Sequence, residues 1–148
     1  DAMTKEISTM LCAKEYEVAE AVGRLKSEQT RMKSQIAELQ QKLLKFCVAE
    51  IPVDEKIVTV FDGSLSGNLP REMMNQLLDK GAVICAVFAG TDEEGYRYVI
   101  GSRSEDVRSI SKTLNSTLEG RGGGKPEMVQ GSVKGTEDAV KEIIARYQ

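Results

Sequence analysis

Between Val18 and Phe46 the apolar residues recur at alternating steps of four and three, a spacing that only a long helix can turn into a single stripe. Val22, Gln29, Ile36 and Leu43 take the a positions of a heptad, and Val18, Leu25, Met32, Leu39 and Phe46 take the d positions. Lys, Arg, Glu and Gln fill the other faces; they are good helix formers that remain solvated. The spacing predicts a helix over about 15–47, on the order of 50 Å long. A shorter apolar piece, Ile7 to Leu11, lies out of phase with the seam and reads as a separate short helix over about 4–12, turning near Cys12 to Lys14. A stripe this narrow and long needs a partner. The rest of the chain is one candidate and a second copy is the other; the stripe outruns any short helix, so a homodimeric coiled coil over a 1–50 arm is expected. Gln29, buried at an a position, would lower stability and help set register and partner number.

Pro52 closes the arm, and residues 55–148 read as a small globular α/β domain with a mixed sheet, in the order β-α-β-β-α-β-α. "KIVTVFDG" is a β-branched strand closed by glycine. "LPREMMNQLLDKG" is a helix with Pro70 at its start and Gly81 at its end. The continuous apolar run "AVICAVFAG" predicts a strand covered on both faces, and "YRYVIGSR" returns from it through a "TDEEG" hairpin loop. "SEDVRSISKTLNSTLEG" reads as a helix with Ser104 as N-cap, Glu105 and Asp106 in the first turn and Gly120 at its end. "EMVQGSV" then reads as a strand and "TEDAVKEIIARY" as a helix capped by Thr136.

The chain has no histidine, which removes Ser-His and Cys-His nucleophile pairs, HExxH zinc sites and any histidine base. Cys12, Cys47 and Cys85 are too scattered for a zinc site or a disulfide framework and fit a reducing, cytoplasmic setting. Neither a membrane span nor a secretory leader is legible. "GSLSG" misses the nucleophile elbow, which needs serine where Leu65 stands, and Asp92-Glu93-Glu94 reads as a solvated hairpin tip. No catalytic residue and no metal ligand is expected within this chain.

The stretch "GRGGGKPEMVQGSVKG", Gly120 to Gly135, then needs a purpose, because clustered glycine weakens a fold. It is expected as a glycine-rich loop over 120–126. It fails the phosphate-loop fingerprint, since Pro126 follows Lys125, and it fails the dinucleotide fingerprint as well. Bare backbone amides flanked by Arg121 and Lys125 suit an anion, with Lys134 beside them and Arg103 and Arg108 upstream. A flexible loop or a tight crossing is the competing reading.

Gly120, Gly122, Gly123, Gly124, Pro126, Gln130 and Gly131 resemble the glycine-rich signature of the C-terminal domain of alanyl-tRNA synthetases. That signature also occurs in alanyl-tRNA editing proteins and DHH-type phosphoesterases. Ser132 and Val133 stand where the family has further glycines. The arm "EVAEAVGRLKSEQTRMKSQIAELQQKL" resembles the helical, dimer-forming segment that precedes the domain in that family. The resemblance implies a tRNA-binding, dimerising module without chemistry or cofactor of its own. Zinc is expected only in an upstream editing domain that is absent here, so the chain reads as a C-terminal fragment of an editing or synthetase-related protein. Two alternatives stand beside this: the nucleotide- or oligonucleotide-binding domain of a DHH-type phosphoesterase, and a purely structural oligomerisation module. Charge limits the RNA reading to a local patch, because the arm is neutral and the net charge of −3 falls in the remainder.

Overall fold

The computed structural model describes residues 1–148, which divide into two compact units, Asp1–Leu43 and Leu44–Gln148. The first unit consists of helix α1 (Ala2–Glu50), whose last turns belong to the second. The helix is unbroken, so the expected turn near Cys12 to Lys14 is not there. Leu11 to Glu15 contain neither Gly nor Pro, and a change of phase in the apolar stripe interrupts no backbone hydrogen bond. The stripe shifts without the helix breaking: Met3, Ile7 and Met10 step by four and three, Met10-Lys14-Val18-Val22 step by four throughout, and the heptad resumes. Such a run of four-residue steps locally unwinds a coiled coil and does not terminate a helix.

In the second unit follow β1 (Ile57–Phe61), α2 (Leu69–Lys80), β2 (Ile84–Thr91), β3 (Gly95–Ser102), α3 (Arg108–Thr117), β4 (Arg121–Lys125), β5 (Met128–Val133) and α4 (Glu137–Ala145). The five strands form one mixed sheet in the order β1-β2-β3-β5-β4, with β1 parallel to β2 and every other pair antiparallel. α2 carries the crossover that a parallel pair requires. As the sequence predicts, Pro70 opens it, and Gly81 (φ +123°) closes it by donating to Leu77 and Leu78. The apolar run of β2 is buried over its first six residues, and "TDEEG" turns it into β3.

The two faces of the sheet carry separate cores. On one, Ile57, Phe88, Tyr98, Ile100 and Val129 pack with Val107, Ile110 and Leu114 around α3 and with Val140, Ile143 and Ile144 of α4. On the other, Val58, Cys85, Val87 and Val99 pack with Met73, Met74 and Leu77 of α2 and with Leu44 and Val48 of α1. The Lys80 ammonium donates to the carbonyls of Val48, Ala49 and Ile51 (2.9, 3.0 and 2.5 Å), satisfying orphan groups at the end of α1. No helix is long and apolar enough to cross a membrane.

Two local expectations need correcting. The glycine stretch is not a loop but a fifth strand, β4, paired along its length with β5. Three successive glycines at φ +148°, +157° and +158° adopt an extended backbone of mirror hand, which sequence periodicity does not report because it has no side-chain pattern. Helix α3 also starts later than Ser104: Val107 is the residue before it, buried, with its N–H donating to Pro126 O at 2.8 Å. Ser104 and Glu105 form a turn whose N–H groups donate to Ser102 Oγ, and Asp106 accepts from the Arg108 N–H. At the other end Glu119, not Gly120, takes a left-handed φ of +49°. Thr136 caps α4 as expected, accepting from Ala139 N at 3.1 Å.

Candidate nucleic-acid interface

The register of the three outer strands decides which side chains of the glycine signature meet. Directly opposed residues in an antiparallel pair share a face. Arg97, Ser132 and Arg121 therefore form one row across β3, β5 and β4; Val99, Gln130 and Gly123 form the next; Gly101, Met128 and Lys125 the third. α2 packs over β2 and β3, whereas α3 packs over β4 and β5 from the opposite side. Arg97, Ser132, Gln130 and all of β4 are exposed, so this corner of the sheet is an open surface with three cations around a glycine. Arg97 joins this candidate surface, and the sequence reading missed it. Its outward position in the alternation Tyr96-Arg97-Tyr98 was the available signal.

The glycines of β4 do different jobs. A Cβ at Gly122 would lie 2.3 Å from Gln130 O, and one at Gly124 would lie 2.4 Å from Met128 O, so both are required for β4 to close on β5. Around Gly123 nothing lies within 4 Å of the corresponding point. Gly120 has no room either, with Ser132 O at 2.5 Å and Asn115 Oδ1 at 2.8 Å. Gly131 would drive a Cβ to 2.2 Å from Arg121 O and 2.7 Å from the Tyr98 hydroxyl. Pro126 sits in the turn between β4 and β5, where its carbonyl receives Val107 N–H.

Asn115 ties this hairpin to the core. Its backbone carbonyl accepts from Gly120 N at 2.8 Å, its amide donates to Gly122 O at 3.3 Å, and its Oδ1 accepts from the Tyr98 hydroxyl at 2.9 Å. The same hydroxyl lies 2.7 Å from Ser111 Oγ, a buried group of α3. The glycine strand is thus held by a polar bracket, with no apolar packing of its own.

The remaining cations are placed less uniformly. Arg103 is turned to α2, where it pairs with Asp79, and does not join the glycine strand. Lys134 lines a cavity of about 590 Å³ with Arg97 and Arg121, but its ammonium lies 3.7 Å from Glu119. Arg108 pairs with Asp106, holding that carboxyl at about 2, and with Lys112 and Ser111 it borders a hollow of about 160 Å³ under Gly122 to Gly124. Asp92, in the acidic hairpin tip, accepts from the Tyr96 hydroxyl at 2.6 Å and from Glu137 N at 2.9 Å, so it pins the tip to α4. No group of three or more cysteine, aspartate or glutamate side chains is arranged to hold a metal ion.

The seam residues Val18, Leu25, Met32, Ile36, Leu39, Leu43 and Phe46 are each more than half exposed, and Val22 is 43% exposed. Leu44 and Val48, on the opposite face of the last turns, are buried at 3% and 8%, while Phe46 between them stands 73% exposed. Within the second unit, the buried face of the last turns of α1 is therefore the one opposite Phe46.

Residues 54–148 match the DHHA1 domain family, and the chain belongs to it. An alanine–tRNA ligase of Acholeplasma laidlawii is 33% identical over 73 residues, covering 47% of this chain and 9% of the ligase. That of a Psychrobacter species is 25% identical over 149 residues, covering 93% of this chain and 16% of the ligase. The chain thus spans less than a fifth of the length of these relatives. The RecJ structure of Thermus thermophilus in complex with Mg2+ superposes with a TM-score of 0.61 at 14% identity, over 81% of this chain and 18% of RecJ, and so shares the fold.

Proposed function

We propose that this chain is a non-catalytic RNA-binding and dimerising module, with tRNA as its partner. The observation that carries the reading is Gly123. It lies on the open face of an edge strand, flanked by Arg121 and Lys125 and facing Gln130, with nothing near the point where a side chain would start. A phosphate can approach bare backbone there, and the cations supply charge without base selectivity. Alanine–tRNA ligases as sequence relatives make tRNA the apt RNA. The match over 93% of the chain favours this over a phosphoesterase substrate domain, for which the shared fold alone speaks. The exposed seam of α1 supports pairing of two copies, and any catalysis belongs to other parts of a longer protein in the cytoplasm.

The test is a tRNA titration over a series of KCl concentrations. Lys125→Ala and Arg97→Ala should each weaken binding and lower the slope of log K against log salt by about one phosphate's worth. Arg103→Ala, whose charge is held by Asp79, should leave both unchanged. Wild-type affinity and slope in the Lys125 and Arg97 variants would remove the proposed interface.

A further inference from the structure

The seam also specifies how two copies meet. We infer that α1 pairs with a second copy of itself in parallel and in register. This rests on the dimeric reading above and adds the orientation. Two features of the helix separate the alternatives.

The first is Gln29 at an a position. In a parallel pair it faces Gln29 of the second copy, and the two amides satisfy one another. The antiparallel register that aligns the seam sets Val22 against Leu39, Ile36 against Leu25 and Leu43 against Val18. It also sets Gln29 against Met32, leaving a buried amide without a polar partner.

The second feature is the charge beside the seam. Glu28 is a g residue, and Lys26 and Lys33 are e residues. A parallel pair brings g of one helix to the following e of the other, so Glu28 meets Lys33 twice, once on each side. Glu28 already pairs with Arg31 of its own helix, both side chains being about half exposed, and its carboxylate has lone pairs left for a lysine. An antiparallel pair brings e to e along one flank, where Lys26 meets Lys33 twice.

Cysteine cross-linking of the 148-residue chain decides the matter. Cys12 and Cys47 are replaced by serine; Cys85 is buried, which pushes its thiol to about 12, and it stays. Ile36→Cys should oxidise almost completely to a disulfide dimer. A mixture of Val22→Cys and Leu39→Cys chains should give under a tenth as much heterodimer. Glu28→Lys should raise the dimer Kd at least fivefold, and adding Lys33→Glu should restore it. A preference for the Val22–Leu39 cross-link overturns the orientation and leaves the dimer standing. A monomer by light scattering at high micromolar concentration overturns both.

Discussion

Replacing Gly123 and Gly124 separately by alanine distinguishes a glycine kept for a ligand from one kept for the fold. Both sit at positive φ, where an ordinary residue is strained by roughly 1–3 kcal/mol. Gly124→Ala adds a collision with backbone: Met128 O at 2.4 Å and Val129 Cα at 3.1 Å, neither of which can swing aside. The β4–β5 ladder must open. Gly123→Ala meets nothing within 4 Å and keeps the ladder. Every residue of β4 is exposed, so opening it surrenders little apolar surface beyond that of Val129, the buried partner of Gly124. We therefore expect each variant to lose no more than about 1–3 kcal/mol of global stability, a fall in Tm of up to roughly fifteen degrees. Amide hydrogen exchange separates them: β4 and the facing amides of β5 should lose protection in Gly124→Ala and retain it in Gly123→Ala. tRNA affinity should nevertheless fall at least tenfold in Gly123→Ala, about 1.4 kcal/mol, because the methyl stands where the phosphate approaches. A Gly123→Ala protein with a protected β4 and wild-type affinity would refute the argument.

Tyr98→Phe should destabilise the chain by about 1–3 kcal/mol in chemical denaturation, since it leaves the buried Ser111 Oγ and the part-buried Asn115 Oδ1 without their shared partner. It should also loosen β4 through Asn115, visible as faster exchange at Gly120. Asp92 has its carboxyl held below the ordinary 3.8, first by the Tyr96 hydroxyl and then by Glu137 N–H. A depressed carboxylate stabilises the fold above its unfolded value and loses that contribution as pH falls through the folded one. Asp92→Asn should accordingly flatten the acid limb of Tm against pH below about 4 while slightly lowering Tm at neutral pH; an unchanged acid limb would show that the tip is not pinned.

Much of the fold is written in patterns that chemistry makes local. The 3.5-residue period marks α1, Pro70 and Gly81 bracket α2, and the unbroken apolar run of β2 announces a strand covered on both sides. The glycine signature locates the candidate site for a similar reason, because a cluster so unfavourable to folding demands a use. Strand β4 was not legible, since glycines carry no alternation and pairing with β5 is what holds them extended. The start of α3 was misplaced because burial of Val107 and its bond to Pro126, distant in sequence, outweighed Ser104 as a cap. Likewise the sequence puts Arg97, Arg121 and Lys125 far apart or merely near, and only strand register gathers them on one face. Register also sends Arg103 away to Asp79 and divides the glycines into those that β5 excludes from substitution and the one left open. Local composition determines which backbone shapes are accessible; which side chains meet depends on pairings between segments, and those form only when the sheet does.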